Sequence, residues 1–500
     1  MPRRATPRRR PLGTALVLLL AGCAPAAAPT VVAPRAIPGP DARATAERFE
    51  RLRHDPVLLR LFLQEMPKGG DIHSHLSGAI YAESYAQWAA EDGLCLVRAT
   101  MSLAPPPCSD SAGRPPARLI LGNPSLHSDV IDAWSLRNWS PARTTGHDQF
   151  FDAFGKFGLA ARGRTGDMLA EVSRRAAAQG VSYLELMHTV DGGAVAGLAR
   201  VVALDQDFRA ARDRLLAAGL LDTLAQARRS LDSAEARQRQ LLGCDTPSAD
   251  PGCAVPIRYL YQVARARPPA EVFAQVVAGF ELTRLDPRVV GLNLVQPEDY
   301  PVPMGDFSLH MRMLDALHQL DPSVPVTLHA GELAEGLVPP EGLRFHIRES
   351  IETGHARRIG HGVAVIHEDR AGELLALMAA RGVLVEVALS SNDVILGVRG
   401  SRHPLATFLQ AGVPVALVTD DEGVSRSSLT REFQRAVEEH PLGYLDLRAM
   451  ARHSISHSFA EPELKARLLR DLDQATAWFE ARWASSCPLP AHPACGPVRP

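Results

Sequence analysis

The sequence predicts an α/β fold: a parallel (β/α)8 barrel with insertions and a helical C-terminal extension. Eight short β-branched or apolar runs alternate with longer segments whose apolar residues recur at three- and four-residue steps. A chain of 500 residues, 46% apolar and 22% charged, suits one large decorated barrel and excludes disordered, collagenous and multi-span membrane classes. Imidazoles and carboxylates recur at the C-terminal ends of the runs, where a barrel keeps its chemistry. The same alternation permits a doubly wound open sheet; the count of eight favours the barrel.

In chain order, Arg3, Arg4, Arg8, Arg9 and Arg10 precede an apolar run, Leu12 to Leu20, that ends in Leu20-Ala21-Gly22-Cys23. The run is too short to span a bilayer but suits a secretory signal. The tetrad resembles a bacterial lipobox, which implies removal of residues 1–22 and a lipid anchor on Cys23. Ala24 then favours the outer membrane, and the Ala- and Pro-rich residues 23–43 read as a flexible tether. The chain is thus expected to be exported and held in the cell envelope, with residues 44–500 forming the barrel.

The eight runs are Gly70 to His73, Val181 to His188, Val255 to Val263, Val289 to Gln296, Val324 to His329, Arg358 to His361, Val383 to Leu389 and Val413 to Thr419. Helical segments between them include Thr165 to Gln179, Pro269 to Leu285, Ser308 to Leu320, Glu368 to Ala380 and Pro404 to Gln410. Leu94 to Pro116 and Phe208 to Asp250 break the rhythm and read as insertions over a barrel face. Residues 440–500 read as a closing helical cap.

Apart from Cys23, the six cysteines fall into close pairs: Cys95 with Cys108, Cys244 with Cys253, and Cys487 with Cys495. In an oxidising compartment, neighbours inside Pro- and Ser-containing loops favour local disulfides. With 54 basic and 56 acidic side chains the chain has no global field, so nucleic acid is not expected as a partner.

The first run leads into Asp71-Ile72-His73-Ser74-His75, and in an extended segment His73 and His75 share one face. His329-Ala330-Gly331-Glu332 follows the fifth run, Gly360-His361-Gly362 closes the sixth, and Thr419-Asp420-Asp421-Glu422-Gly423 follows the eighth. Imidazoles and a carboxylate converging from separate strand ends fit a divalent zinc site. On spacing alone, Asp421 either faces a substrate or orients a ligand histidine.

His310, His318, His346, His355, His403, His453 and His457 lack strand-end placement and read as surface or satisfied histidines. Glu386, inside the seventh run, reads as a barrel-interior charge paired with its surroundings. Ser391 and Asn392 read as shaping the loop after that strand. His188, ending the second run, is a candidate substrate contact, and Trp139 is a lesser one.

Met66-Pro67-Lys68 leading into His73-Ser74-His75-Leu76-Ser77-Gly78, with His329-Ala330-Gly331-Glu332, Arg358-Ile359-Gly360-His361-Gly362, Ser390-Ser391-Asn392 and Thr419-Asp420-Asp421-Glu422-Gly423, together resemble the adenosine deaminase family of metal-dependent hydrolases. Ser135-Leu136-Arg137-Asn138-Trp139 and Gly146-His147-Asp148-Gln149-Phe150-Phe151 further resemble its secreted, growth-factor-related branch. The resemblance implies one Zn2+ held by His73, His75, His329 and Asp420. It makes Glu332 the proton donor to the purine ring, His361 the group beside the attacking water, and Asp421 a partner for the ring. The substrate-facing set is His75, Gln296 and Asp421.

Replacing a purine 6-amino group by water needs hydroxide at neutral pH, and zinc lowers the pKa of water to about 7 in favourable sites. Glu332 must then hold a proton for the ring, which asks for a desolvated carboxyl. One residue departs from the family: Gln296, in Asn293-Leu294-Val295-Gln296, stands where many members carry a glycine whose backbone meets the purine. The expected reaction is therefore deamination of adenosine or 2′-deoxyadenosine. A deaminase of another 6-aminopurine, or another hydrolase on the same scaffold, is the nearest alternative. A catalytically silent nucleoside-binding lipoprotein is the non-enzyme alternative; the complete set of ligands plus acid speaks against it.

Overall fold

Residues 38–200, 204–205 and 207–486 are described by a computed structural model. The signal, Cys23 and the Cys487/Cys495 pair lie outside the described residues. The barrel strands are β1 (Gly69–His75), β4 (Val181–His188), β5 (Ile257–Ala264), β6 (Val289–Val295), β7 (Thr327–Ala330), β8 (Arg358–His361), β9 (Leu384–Val387) and β10 (Val415–Leu417). Each falls on one of the eight runs, usually trimmed by a residue or more. β2 (Cys95–Val97) and β3 (Ser102–Ala104) form an antiparallel hairpin in the first insertion.

Two four-stranded parallel sheets, in the orders β1-β4-β5-β6 and β10-β9-β8-β7, make the wall. Parallel bridges between Leu292 and Val326 and between Ser74 and Asp420 join them at both seams. The closed ring brings the first strand end beside the last, so His75 N–H donates to the carbonyl of Asp420 and Asp420 N–H to that of His73, both at 2.9 Å. Every residue of β6 is buried, as expected where helices cover the outside and side chains fill the inside.

The barrel interior is charged at one point. Arg358 donates to Glu386 (2.5 Å) and pairs with Glu185 (2.7 Å), all three buried. Removing one partner would leave an uncompensated buried charge, at about 3–5 kcal/mol. Glu386 is thus an interior charge paired with its surroundings, as its position in the run suggests.

The insertions form as the broken rhythm predicts. Cys95–Cys108 and Cys244–Cys253 are disulfides, the second following helices Phe208–Ala217 and Leu220–Leu242. Two readings need correction. The helix expected from Ser308 runs over Pro301–His318, because a proline with fixed φ and no N–H to satisfy is well placed in a first helical turn. Ser391 and Asn392 lie in a helix, Leu389–Leu396, and not in a loop. The C-terminal region is helical, ending in Pro462–Ser485, which packs against Pro40–Leu52 through the bond from Thr45 Oγ1 to the carbonyl of Glu480.

Candidate active site

His73, His75, His329 and Asp420, drawn from the ends of β1, β7 and β10, meet at the C-terminal mouth. His75 Nε2 lies 3.2 Å from His329 Nε2. Asp420 Oδ1 is 3.5 Å from His73 Nε2 and 3.4 Å from His75 Nε2. Two glycines make room for this convergence. A Cβ at Gly360 would sit 2.6 Å from Cε1 of His73, and one at Gly78 would sit 1.5 Å from Oδ1 of Asp421. Asp420 and His361 themselves take left-handed backbone conformations, φ 60° and 68°, which cost a non-glycine residue about 1–3 kcal/mol and persist only where surroundings enforce them.

The outer nitrogens of the three imidazoles all meet acceptors. His73 Nδ1 donates to Glu386 (2.6 Å), His75 Nδ1 to the Gln262 carbonyl (3.1 Å), and His329 Nδ1 to the Asn293 carbonyl (2.9 Å). The Asn293 orientation is fixed, since the same oxygen accepts from the backbone N–H of His329. His75 and His329 therefore carry the proton on Nδ1 and turn the Nε2 lone pair inward, and His73 turns its Nε2 inward beside them. Burial lowers the pKa of His75 and His329, which keeps them neutral. His73 Nε2 is buried with no hydrogen-bond partner. Although burial opposes it, Asp420 and Glu386 on either side push His73 up to about 10, so this part of the site favours a positive charge between the two carboxylates. Three inward Nε2 atoms and one carboxylate fit a divalent metal, whose charge would take the place of the inner proton of His73.

His361 is as close as the ligands: its ring, with those of His73 and His329 and the carboxylate of Asp420, offers atoms that all lie within 4.8 Å of one another. Its protonation separates it from them. The backbone N–H of Leu405 donates to His403 Nδ1 (3.1 Å), so His403, held neutral by burial at about 3, carries its proton on Nε2. That proton goes to the Asn392 carbonyl (3.1 Å), which leaves the Asn392 N–H to donate to His361 Nδ1 (3.0 Å). Burial lowers His361 to about 4, so the neutral ring bears its proton on Nε2. That N–H points inward, 3.6 Å from Glu332 Oε1.

Glu332 is held by Glu298, which accepts from the N–H groups of Glu332 (2.8 Å) and Gly331 (3.1 Å) and from His346 Nδ1 (2.5 Å). Burial first, then the charges of Asp420 and Glu298, raises the Glu332 pKa well above the carboxylate range. Asp421 is raised for the same reasons, burial and Asp420, and its buried Oδ1 has no hydrogen-bond partner.

A cavity of about 290 Å3 opens onto these groups. His75, His329, Glu332, Asp420 and Asp421 form its floor; Phe150, Phe151 and Phe154, from helix Gly146–Phe157, and Tyr300 form its wall. Gln296 lines it with φ 84°, the conformation that explains a glycine at this position in relatives. Its side chain is turned to the N–H of Ala266 (2.9 Å), and its carbonyl accepts from Arg265 (2.9 Å). His188 lines an adjoining cavity that shares Ser77 and Gln262 with the first, so it does not line the main pocket. Trp139 bonds the Thr144 carbonyl and lies outside the pocket as well.

Sequence reasoning gave no role to Glu298, Asn293, Gln262 or His403. His403 is a satisfied histidine, as expected, whereas His346 keeps a buried Nε2 without a partner; they support Glu332 and His361 through Glu298 and Asn392. Glu298 and Asn293 lie at the end of the fourth run, where a polar residue in an apolar context was the available signal.

A family profile described as adenosine deaminase matches residues 159–475. Among curated proteins, an adenosine deaminase of Enterococcus faecalis is 32% identical over 31% of this chain and 42% of its own length. An adenine deaminase of Rhizobium leguminosarum is 30% identical over 37% of this chain and 53% of its own. The chain spans about half the length of these relatives. Two solved structures share the fold. An N6-methyl-AMP deaminase from Arabidopsis thaliana has a TM-score of 0.54 at 20% identity, covering 84% of this chain and 99% of that one. A zinc-bound amidohydrolase from Burkholderia ambifaria has a TM-score of 0.53 at 18% identity, covering 85% and 95%. With the matched profile spanning more than half of its residues, this chain belongs to the adenosine deaminase family.

Proposed function

We propose that this protein is a zinc-dependent hydrolytic deaminase of an uncharged adenine nucleoside, adenosine or 2′-deoxyadenosine. One observation carries the reading: the buried Glu332 carboxyl, whose pKa burial raises, shares the floor of one cavity with the imidazoles of His75 and His329 and the carboxylate of Asp420. His73, His75, His329 and Asp420 would hold the metal, which supplies Lewis acidity that brings water's pKa toward neutrality.

The side chains do the rest. Glu332 delivers its proton to the ring nitrogen that gains charge as the 6-position is attacked. His361 donates its Nε2–H toward the entering oxygen and so orients it. Asp420, whose pKa is lowered because the charges of the nearby imidazoles outweigh desolvation, can accept the proton that water loses. Asp421, which lines the cavity beside Asp420, meets the purine.

An uncharged substrate follows from the lining. Among the described residues no Arg or Lys lines the cavity and the ionised Asp420 does, so a phosphorylated substrate would find no cation to meet its charge there. A second reading, deamination of a different 6-aminopurine, is favoured by Gln296, whose side chain occupies the wall where relatives present only backbone. The test is spectroscopic: zinc-loaded protein should shift the ultraviolet absorption of adenosine to that of inosine. Activity on adenine alone would move the assignment to the second reading. Inertness toward all 6-aminopurines with metal bound would overturn both.

We further propose export and lipid anchoring through Cys23. The two disulfides support an oxidising compartment. Radiolabelled palmitate incorporation, abolished by Cys23→Ala, is the measurement that checks it.

A further inference from the structure

The end of the barrel opposite the reacting groups holds another cavity, of about 440 Å3. It is bounded by the segments that lead into β8 and β9, so it lies at the N-terminal ends of those strands. Its basic lining is His318, His355, Arg357, Arg381, His457 and Lys465. These six come from the end of helix Pro301–His318, the turns before β8 and β9, the junction before helix Pro462–Ser485, and that helix's first turns. No carboxylate lines the cavity.

That composition is unusual for this molecule, where arginines are generally paired: Arg288 with Asp286, Arg435 with Asp393, Arg258 with Glu461. Arg381 and Lys465 make no side-chain hydrogen bond or ion pair among the described residues, and Arg357 reaches only the carbonyl of Pro322 (3.3 Å). The nearest acids are already engaged. Asp315 accepts from His355 Nε2 (2.8 Å), Asp321 pairs with Arg284 (3.6 Å), and Glu185 pairs with Arg358 (2.7 Å). The His318 ring stacks on His355 at 3.8 Å, leaving His318 Nδ1 buried without a partner.

Three unpaired cations around one concavity make a focused positive potential, and guanidinium forks match tetrahedral oxyanions. We propose that this cavity binds an oxyanion of the phosphate class, remote from the reacting centre. It accounts for what the fold leaves unexplained: three cations brought together from three parts of the chain with no acid lining the cavity to offset them. The bearer of the oxyanion is a soluble phosphate compound or a phospholipid headgroup, which share this chemistry.

Calorimetric titration of the full chain with inorganic phosphate and with pyrophosphate, at constant ionic strength in chloride, tests it. Saturable binding is expected, weakened about tenfold or more in the Arg381→Gln/Lys465→Met double variant, with adenosine turnover and Tm unchanged. Flotation with phosphatidylglycerol against phosphatidylcholine vesicles, in a Cys23→Ala background so that no anchor contributes, separates the sources. Flotation lost in the double variant identifies the headgroup; titration without flotation identifies a soluble compound. The site is overturned if neither probe saturates and no vesicles bind, or if the double variant binds as well as the unaltered chain.

Discussion

Asn392 donates its side-chain N–H to His361 Nδ1 over 3.0 Å, and this bond decides which nitrogen of His361 carries a proton. The direction is anchored at a backbone N–H, that of Leu405, and passes through His403 and Asn392 without an alternative. His361 thereby turns a donor toward the cluster, while His75 and His329, a few ångströms away, turn lone pairs toward it and would serve as ligands in the proposed metal site.

Replacing Asn392 by aspartate should reverse that choice. A carboxylate can only accept from Nδ1–H, so the proton of the neutral ring moves from Nε2 to Nδ1. Asn392→Asp should lower kcat by about 10^2–10^4-fold, the range that misplaced acid–base groups cost. The 15N shifts of the His361 ring should exchange Nδ1 and Nε2 character. A variant with near-normal kcat and the reversed tautomer would remove His361 from the reaction.

Glu386 acts on the metal through His73 Nδ1 (2.6 Å). Glu386→Gln should weaken metal affinity about 10–100-fold, as loss of such a supporting carboxylate commonly does. Competition with a chromophoric chelator measures it.

Glu332→Gln should lower kcat about 10^2–10^4-fold with metal content unchanged, because the amide cannot protonate the ring. The raised pKa fixes the sign of the pH response. Glu332 is a competent acid below its folded-state pKa and loses that competence as pH rises through it. Activity should therefore show an alkaline limb assignable to Glu332.

His147 joins the helix that carries the Phe wall to the loop after β6, through its bond to Asp299 (3.1 Å). Burial opposes protonation, but Asp299 and Asp148 outweigh it and raise the pKa of His147. The stabilisation is fully present below the unfolded-state pKa and is lost as pH rises through the folded-state value. His147→Ala should lower Tm by about 1–2 °C at mildly acidic pH and by almost nothing at alkaline pH. Thermal denaturation at several pH values reads this out. A larger effect at alkaline pH would rule the ion pair out as the cause.

Gln296→Gly should relieve a left-handed strain of about 1–2 kcal/mol while losing the bond to Ala266, worth about 1 kcal/mol, so Tm should barely move. The kcat/KM for adenosine relative to other 6-aminopurines should change instead. Unaltered selectivity would show that the side chain does not meet the base.

The sequence alone determined the barrel and brought the candidate ligands to one mouth. Strand alternation and helical spacing are local properties, and a parallel barrel puts each strand end at one mouth, so His73, His75, His329, Glu332, His361, Asp420 and Asp421 were legible from their positions in the runs. Only the tertiary structure decided which imidazole ligates and which donates, because that depends on Glu386, Gln262, Asn293, Asn392 and His403. These residues approach from other strands and helices, some more than 180 residues away, as Gln262 does from His75. Hydrogen-bond direction is a property of such long-range pairs and leaves no spacing signal along the chain. The cationic cavity at the far end of the barrel is of the same kind: each of its basic residues is ordinary in sequence, and only closure of the barrel gathers them without a counter-charge.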